Sequence, residues 1–156
     1  MNSLLFFLVI LGIFPSFLNT QAVQLPGPDG LTPTERSQLD KEGKIDSRIR
    51  IYESASDRFH KSVRSALQKQ EFEVVEDGLN SWIKVLSASL EDIEMNVNRK
   101  KMSRALIRYE IQLRKAFGDL QDLKYKAPLE EQEKIEKWLG RAEGIRDSFL
   151  SILFKR

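Results

Sequence analysis

The chain has 156 residues, 41% of them hydrophobic and 31% charged, with 25 Lys plus Arg against 23 Asp plus Glu, one histidine and no cysteine. That length and apolar content predict one domain with an ample core, which argues against a disordered tail or a multidomain enzyme. Without cysteine there is no disulfide, thiolate metal site, covalently attached c-type haem or catalytic thiol, and one histidine excludes most His-rich metal sites.

Residues Leu4 to Phe14 form an apolar run, followed by Pro15, a short polar stretch and the small-residue pattern Thr20-Gln21-Ala22. This is the layout of a secretory signal segment over residues 1–22, with cleavage expected after Ala22. The run is shorter than the roughly 20 apolar residues of a membrane span. Met1-Asn2-Ser3 lacks Lys or Arg, which leaves an uncleaved membrane anchor as the alternative. The implied location is exported, either periplasmic or extracellular. Residues 23–31 (VQLPGPDGL) hold two Pro and two Gly, a composition that reads as a flexible tether. The folded domain is expected over residues 32–156.

Thr32-Pro33-Thr34-Glu35 places Thr at an N-cap, Pro at the first helical position and Glu at the third, a capping box. Beyond it no stretch alternates with period two, and the apolar period is helical throughout. A first long stripe runs through Ile45, Ile49, Tyr52, Ser56, Phe59, Val63 and Ala66. The second runs through Val75, Leu79, Trp82, Leu86, Leu90 and Ile93, and the third through Met102, Leu106, Tyr109, Leu113, Ala116, Leu120 and Leu123. After Pro128, Ile135, Trp138, Ala142, Ile145, Phe149 and Ile152 mark a fourth. The predicted fold class is all-α: an antiparallel helical bundle, or coiled-coil-like hairpins, of three to four long helices.

Folding the first stripe onto the second around a turn near Glu71 sets Ile49 opposite Ile93, Phe59 opposite Ile83 and Val63 opposite Leu79. The same register brings Ser54-Ala55-Ser56 beside Leu86-Ser87-Ala88-Ser89, and small residues there predict a close approach of the two helix axes. A second hairpin is expected to set Leu86 beside Tyr109, Trp82 beside Leu113, Glu91 beside Arg104 and Glu94 beside Lys101. Charge supports that pairing: residues 71–98 carry seven acids and one base, residues 99–117 seven bases and one acid. The segment 95–102 (MNVNRKKM) has no Gly or Pro, so one continuous helix from 72 to 126 is the alternative. The third and fourth stripes align with Leu106 opposite Phe149 and Leu113 opposite Ala142.

Little in the chain points to chemistry, and no enzymatic activity is expected. His60 follows Asp57 by three residues, a spacing used by oriented bases, but it is expected to face solvent among Lys61 and Arg64. A haem held by His60 with Met95 or Met102 would need His60 on the other face. Trp82 and Trp138 lie on the stripes and read as core anchors rather than ligand contacts. Phosphate-loop, GxSxG, HExxH and EF-hand patterns are missing from the sequence. No metal or cofactor is expected, and no nucleic acid for an exported chain. The basic stretch Arg99, Lys100, Lys101, Arg104 and Arg108 suits an acidic partner, anionic lipid or a cell-wall polymer, or else simply neutralises the acidic second helix. Leu150, Leu153 and Phe154 exceed what the stripes need, and predict a patch for self-association or a protein partner.

Leu31-Thr32-Pro33-Thr34-Glu35-Arg36 resembles the LTxxQ motif of the small helical periplasmic chaperones of the Spy type, with Glu35 at the glutamine position and one copy of the motif. The expected function is that of an exported all-helical interaction or scaffolding protein, meeting an unknown protein partner or itself. The alternative, which the resemblance also implies, is a soluble extracytoplasmic chaperone-like or ligand-binding helical protein. Intact mass after expression with export should show a product beginning at Val23; a full-length product retained in the membrane would contradict cleavage.

Overall fold

The computed structural model describes residues 27–98 and 101–154. The expected signal segment therefore lies outside the described residues, as do Arg99 and Lys100. Five helices follow in order: α1 (Pro33–Lys41), α2 (Ile45–Lys69), α3 (Phe72–Asn96), α4 (Arg104–Lys124) and α5 (Leu129–Phe154). No strand occurs among the described residues, so the chain is an all-α bundle as the period predicted. It has one more helix than expected, because Glu42-Gly43-Lys44 separates a short α1 from α2. The capping box forms as read: Thr32 Oγ1 accepts from Glu35 N–H, and Thr32 N–H donates to Glu35 Oε2 at 2.8 Å.

The four long helices stand at the corners of a square. α2 packs on α3 and α4, and α5 packs on the same two, while the backbones of α3 and α4, and those of α2 and α5, do not approach each other. Hydrogen bonds give the directions. Ser103 reaches Asp46, Gln112 reaches the carbonyl of Glu53 and His60 reaches Asp119, so α2 and α4 run parallel. Lys134 meets Glu76, and Trp138 Nε1 donates to the carbonyl of Leu79 at 2.7 Å, so α3 and α5 also run parallel. The molecule is two antiparallel hairpins, α2–α3 and α4–α5, laid side by side and joined across a diagonal.

This corrects the expected middle hairpin. The helix does stop, at Asn96, so the continuous helix is also not formed. But Glu91 and Glu94 do not meet Arg104 and Lys101 as neighbours, and Arg108 pairs with Glu53 on α2 instead. Exposed ion pairs contribute at most about 1 kcal/mol each, too little to outweigh burial of the apolar stripes. The vertical register nearly survives: Tyr109 lies level with Ser89 and Phe117 level with Trp82, about one helical turn from the expected pairings.

Because every long helix has two neighbours, the buried face is wider than one stripe. Val85, Ala105 and Phe117 join the predicted core, Ile83 is buried as its expected pairing with Phe59 requires, and Ile45, Leu90 and Ile145 are only partly buried. The described part of the expected tether is also corrected: residues 27–31 pack on the bundle. Leu31 is buried, Gly27 N–H bonds to the carbonyl of Leu31, and Arg58 donates to the carbonyl of Gly30. Gly30 has φ +79°, and a Cβ there would stand 2.4 Å from the carbonyl oxygen of Ser81, so only glycine fits this approach to α3. Arg48 completes the lower corner by bonding the carbonyl of Leu39 at 2.5 Å and Asp92 Oδ2 at 2.7 Å, joining α1, α2 and α3.

The α2–α3 turn falls at Gln70-Glu71, as expected, with Gln70 in the left-handed region at φ 60°. A side chain there costs on the order of 1 kcal/mol that glycine avoids, part of which glycine returns as unfolded-state entropy. Gln70→Gly should therefore raise stability by about 0.5 kcal/mol. Phe149→Ala, which empties a fully buried aromatic site, should lower it by about 3 to 5 kcal/mol. Urea denaturation measures both, and a stabilised Phe149→Ala would refute the core assignment.

Candidate functional site

Two features stand out in the interior among the described residues. Half-way along the bundle, Ser56 on α2 and Ser89 on α3 are buried, and the Tyr109 hydroxyl reaches across from α4 to lie 2.9 Å from Ser56 Oγ and 3.4 Å from Ser89 Oγ. The small residues read as a close helix contact thus make room for a phenol from the diagonal helix. Phe149 of α5 stacks on the same ring with centroids 5.5 Å apart. Burial pushes the Tyr109 hydroxyl up to about 12 against the opposing effect of its serine hydrogen bonds. Burial, with the Asp92 carboxylate second, also raises Tyr52.

Toward the other end Trp82, Phe117 and Trp138 form an aromatic cluster, the tryptophan rings 4.9 Å apart. Both tryptophans are core anchors, as expected from their stripes. His60 differs from its expected solvent position: it is four-fifths buried, its Nε2 lies 2.8 Å from Asp119 Oδ2, and its ring lies against Trp82. Asp57, the expected partner, pairs with Lys61. With its Nε2 on Asp119 of α4, which Arg64 also meets at 3.3 Å, the His60 imidazole clasps α2 to α4. Among the described residues no group of three or more His, Asp or Glu is placed to hold a metal ion.

The exterior is where the candidate residues gather. Leu150 and Leu153 at the end of α5 are partly buried, Leu153 against the core, while Phe154 is exposed. Lys101 and Arg104 are exposed at the start of α4. Since α4 and α5 are antiparallel, these residues, read as two separate candidates, share one end of the bundle. Arg108 does not belong with them: it is held by Glu53 through contacts of 2.5 to 2.9 Å on the α2 flank.

Among the described residues six large apolar side chains are exposed, between 47% and 73%: Val74, Met95, Met102, Tyr125, Leu129 and Phe154. Met95, Met102 and Phe154 stand at the end just described, where α3 finishes, α4 begins and α5 finishes. Val74, Tyr125 and Leu129 stand at the opposite end, where α3 begins, α4 finishes and α5 begins. Met102 was expected in the third stripe; at the first residues before α4 it has no helix beyond it to cover it. The others lie off the stripes, which was the only sequence signal for them.

Among the described residues a shallow groove runs between α3 and α5. Its floor is Val75, Leu79, Ile135 and Trp138 and its rim Glu76, Glu131, Lys134 and Arg141. All four floor residues are already buried, so it presents no open apolar cavity. No described helix is long and apolar enough to cross a membrane. Comparison with known protein families, with curated proteins and with solved structures finds no match to this chain.

The raised Tyr109 gives a pH signature. An unfolded tyrosine releases its proton near pH 10, whereas folded Tyr109 keeps it to about 12. Between these values the folded state holds more protons, so stability falls as pH rises, by at most about 1.4 kcal/mol per pH unit for one group. Denaturation midpoints at pH 9 and pH 11 should drop in the wild type and drop less in Tyr109→Phe, the remainder reflecting Tyr52. An equal drop in both would show that Tyr109 ionises normally.

Proposed function

We propose that this chain is an exported all-helical interaction or scaffolding protein that works through the ends of a closed bundle. The observation that carries this reading is the placement of the exposed apolar side chains: among the described residues all six large exposed ones stand at the two ends. Isolated apolar residues on a surface need no explanation, but two groups of three on otherwise charged termini of a bundle fit protein contact faces. The export part of the proposal rests on the apolar segment and small-residue pattern ahead of Val23.

The chaperone-like or ligand-binding reading calls for a concave apolar surface. The α3–α5 groove would favour it, but the floor of that groove is already packed. Photoreactive residues substituted at Phe154 and Tyr125 should give crosslinked adducts in the exporting cell, while substitutions at Lys84 and Lys115 on the lateral faces should give none. Adducts from the lateral positions alone, or from the groove residues, would replace the end-face reading with the groove.

A further inference from the structure

The two ends match in apolar content and differ in charge. The end that carries Val74, Tyr125 and Leu129 is built from residues 68–76 and 122–133, which hold seven acids and three bases, a net charge of −4. All of these residues are described, and the other described residues, with 18 bases and 16 acids, are net +2. At the opposite end Lys44, Lys101 and Arg104 balance Glu42, Asp46 and Glu94. Negative charge is therefore concentrated on one end face of the bundle.

Neither ion pairs nor helix dipoles cancel it. Glu76 and Glu131 share Lys134, but Glu71, Glu73, Glu130 and Glu133 are exposed and form no salt bridge among the described residues. Two helices begin at this end and two finish there, so the positive half-charges at the starts of α3 and α5 are matched by the negative ones at the finishes of α2 and α4. The acids of the first turns suit their own helices and still leave the face negative as a whole.

From this we infer that the acidic end docks a basic protein segment whose apolar side chains sit among cationic ones. The inference rests on the reading that the ends are the working faces, and names the partner's chemistry at one of them. Val74 is 48% exposed, Tyr125 67% and Leu129 73%, so a partner must bring apolar groups to cover them. The unpaired carboxylates around them attract Lys and Arg and repel an acidic partner. The face is two helices wide, about 20 Å at about 10 Å per helix, which about 13 helical residues or about six extended ones would span. A contact of that size buries less than the roughly 1,200 Å² of a stable complex, so it is weak, and its charge component is screened by salt.

Fluorescence anisotropy on the chain purified after export tests this with three labelled peptides: a helical peptide of Leu and Lys at amphipathic spacing, the same peptide with Glu for Lys, and the same with Ser for Leu. The Leu and Lys peptide should bind in low salt and be released by 0.5 M NaCl, the Glu peptide should not bind, and the Ser peptide should bind more weakly. Glu71→Gln, Glu73→Gln, Glu130→Gln and Glu133→Gln together should weaken binding of the first peptide about tenfold, and Tyr125→Ser with Leu129→Ser should weaken it as well. Asp40→Asn, Glu91→Gln, Glu94→Gln and Glu143→Gln remove the same charge from other exposed positions and should change it less than about twofold. All ten positions are exposed, and unchanged thermal melting confirms that the variants fold. Equal loss in the two carboxylate variants would mean a response to total charge and would overturn the inference, as would equal binding of the Glu peptide or no binding at all. Adducts from Tyr125 in the exporting cell, with no binding of the Leu and Lys peptide, would remove the basic partner and leave the end-face reading standing.

Discussion

Two hairpins lying side by side leave a central space that no backbone enters, and filling it is the constraint on which this bundle depends. α3 and α4 occupy opposite corners, as do α2 and α5, so only long side chains bridge the middle. Tyr109 does so at one level, against Ser56, Ser89 and Phe149, and Trp82 with Phe117 and Trp138 does so at another. Large residues at one level require small ones facing them, and at the level of Tyr109 and Phe149 those are Ser56 of α2 and Ser89 of α3, both fully enclosed. The two serines also supply hydroxyls to the phenol, so its polar tip is buried without the cost of an unsatisfied group.

Around that interior the charged side chains act as clasps between elements. Arg48 holds the end of α1 against α2 and α3, Arg58 holds Glu35 and the carbonyl of Gly30, and His60 with Arg64 holds Asp119 of α4. These pairs are local consequences of the packing. The opposite charges of residues 71–98 and 99–117 do not make α3 and α4 neighbours, because solvent-exposed attraction is small beside the burial of Trp82, Tyr109 and their surroundings.

Among the described residues the large exposed apolar side chains all stand at the ends of the bundle. There the helices begin and finish, so apolar residues near the termini have no further turn of a neighbour to cover them. Met95, Met102 and Phe154 are exposed for that reason at one end, and Val74, Tyr125 and Leu129 at the other. Acids gather at the end that carries Val74, Tyr125 and Leu129, at Glu71, Glu73 and Glu76 and again at Glu130, Glu131 and Glu133.

The helices, their stripes, the Thr32 capping box and the turn at Gln70 were legible from sequence, because each depends on residues within a few positions of one another. So was the vertical level at which distant stripes meet, since apolar repeats near 3.5 residues align to within a turn in almost any antiparallel pairing. The lateral order of the helices was not: the same stripe packs equally well on a neighbour or across a diagonal, and the choice rests on how Tyr109, Phe117 and Trp82 together fill one volume. For the same reason Leu150, Leu153 and Phe154 were legible as surplus, but their union with Lys101 and Arg104, the loss of Arg108 to Glu53, and the second apolar end were decided by the tertiary structure alone. Local hydrogen bonding and periodicity act along the chain, whereas which helix stands beside which is settled only when every side chain competes for the same interior at once.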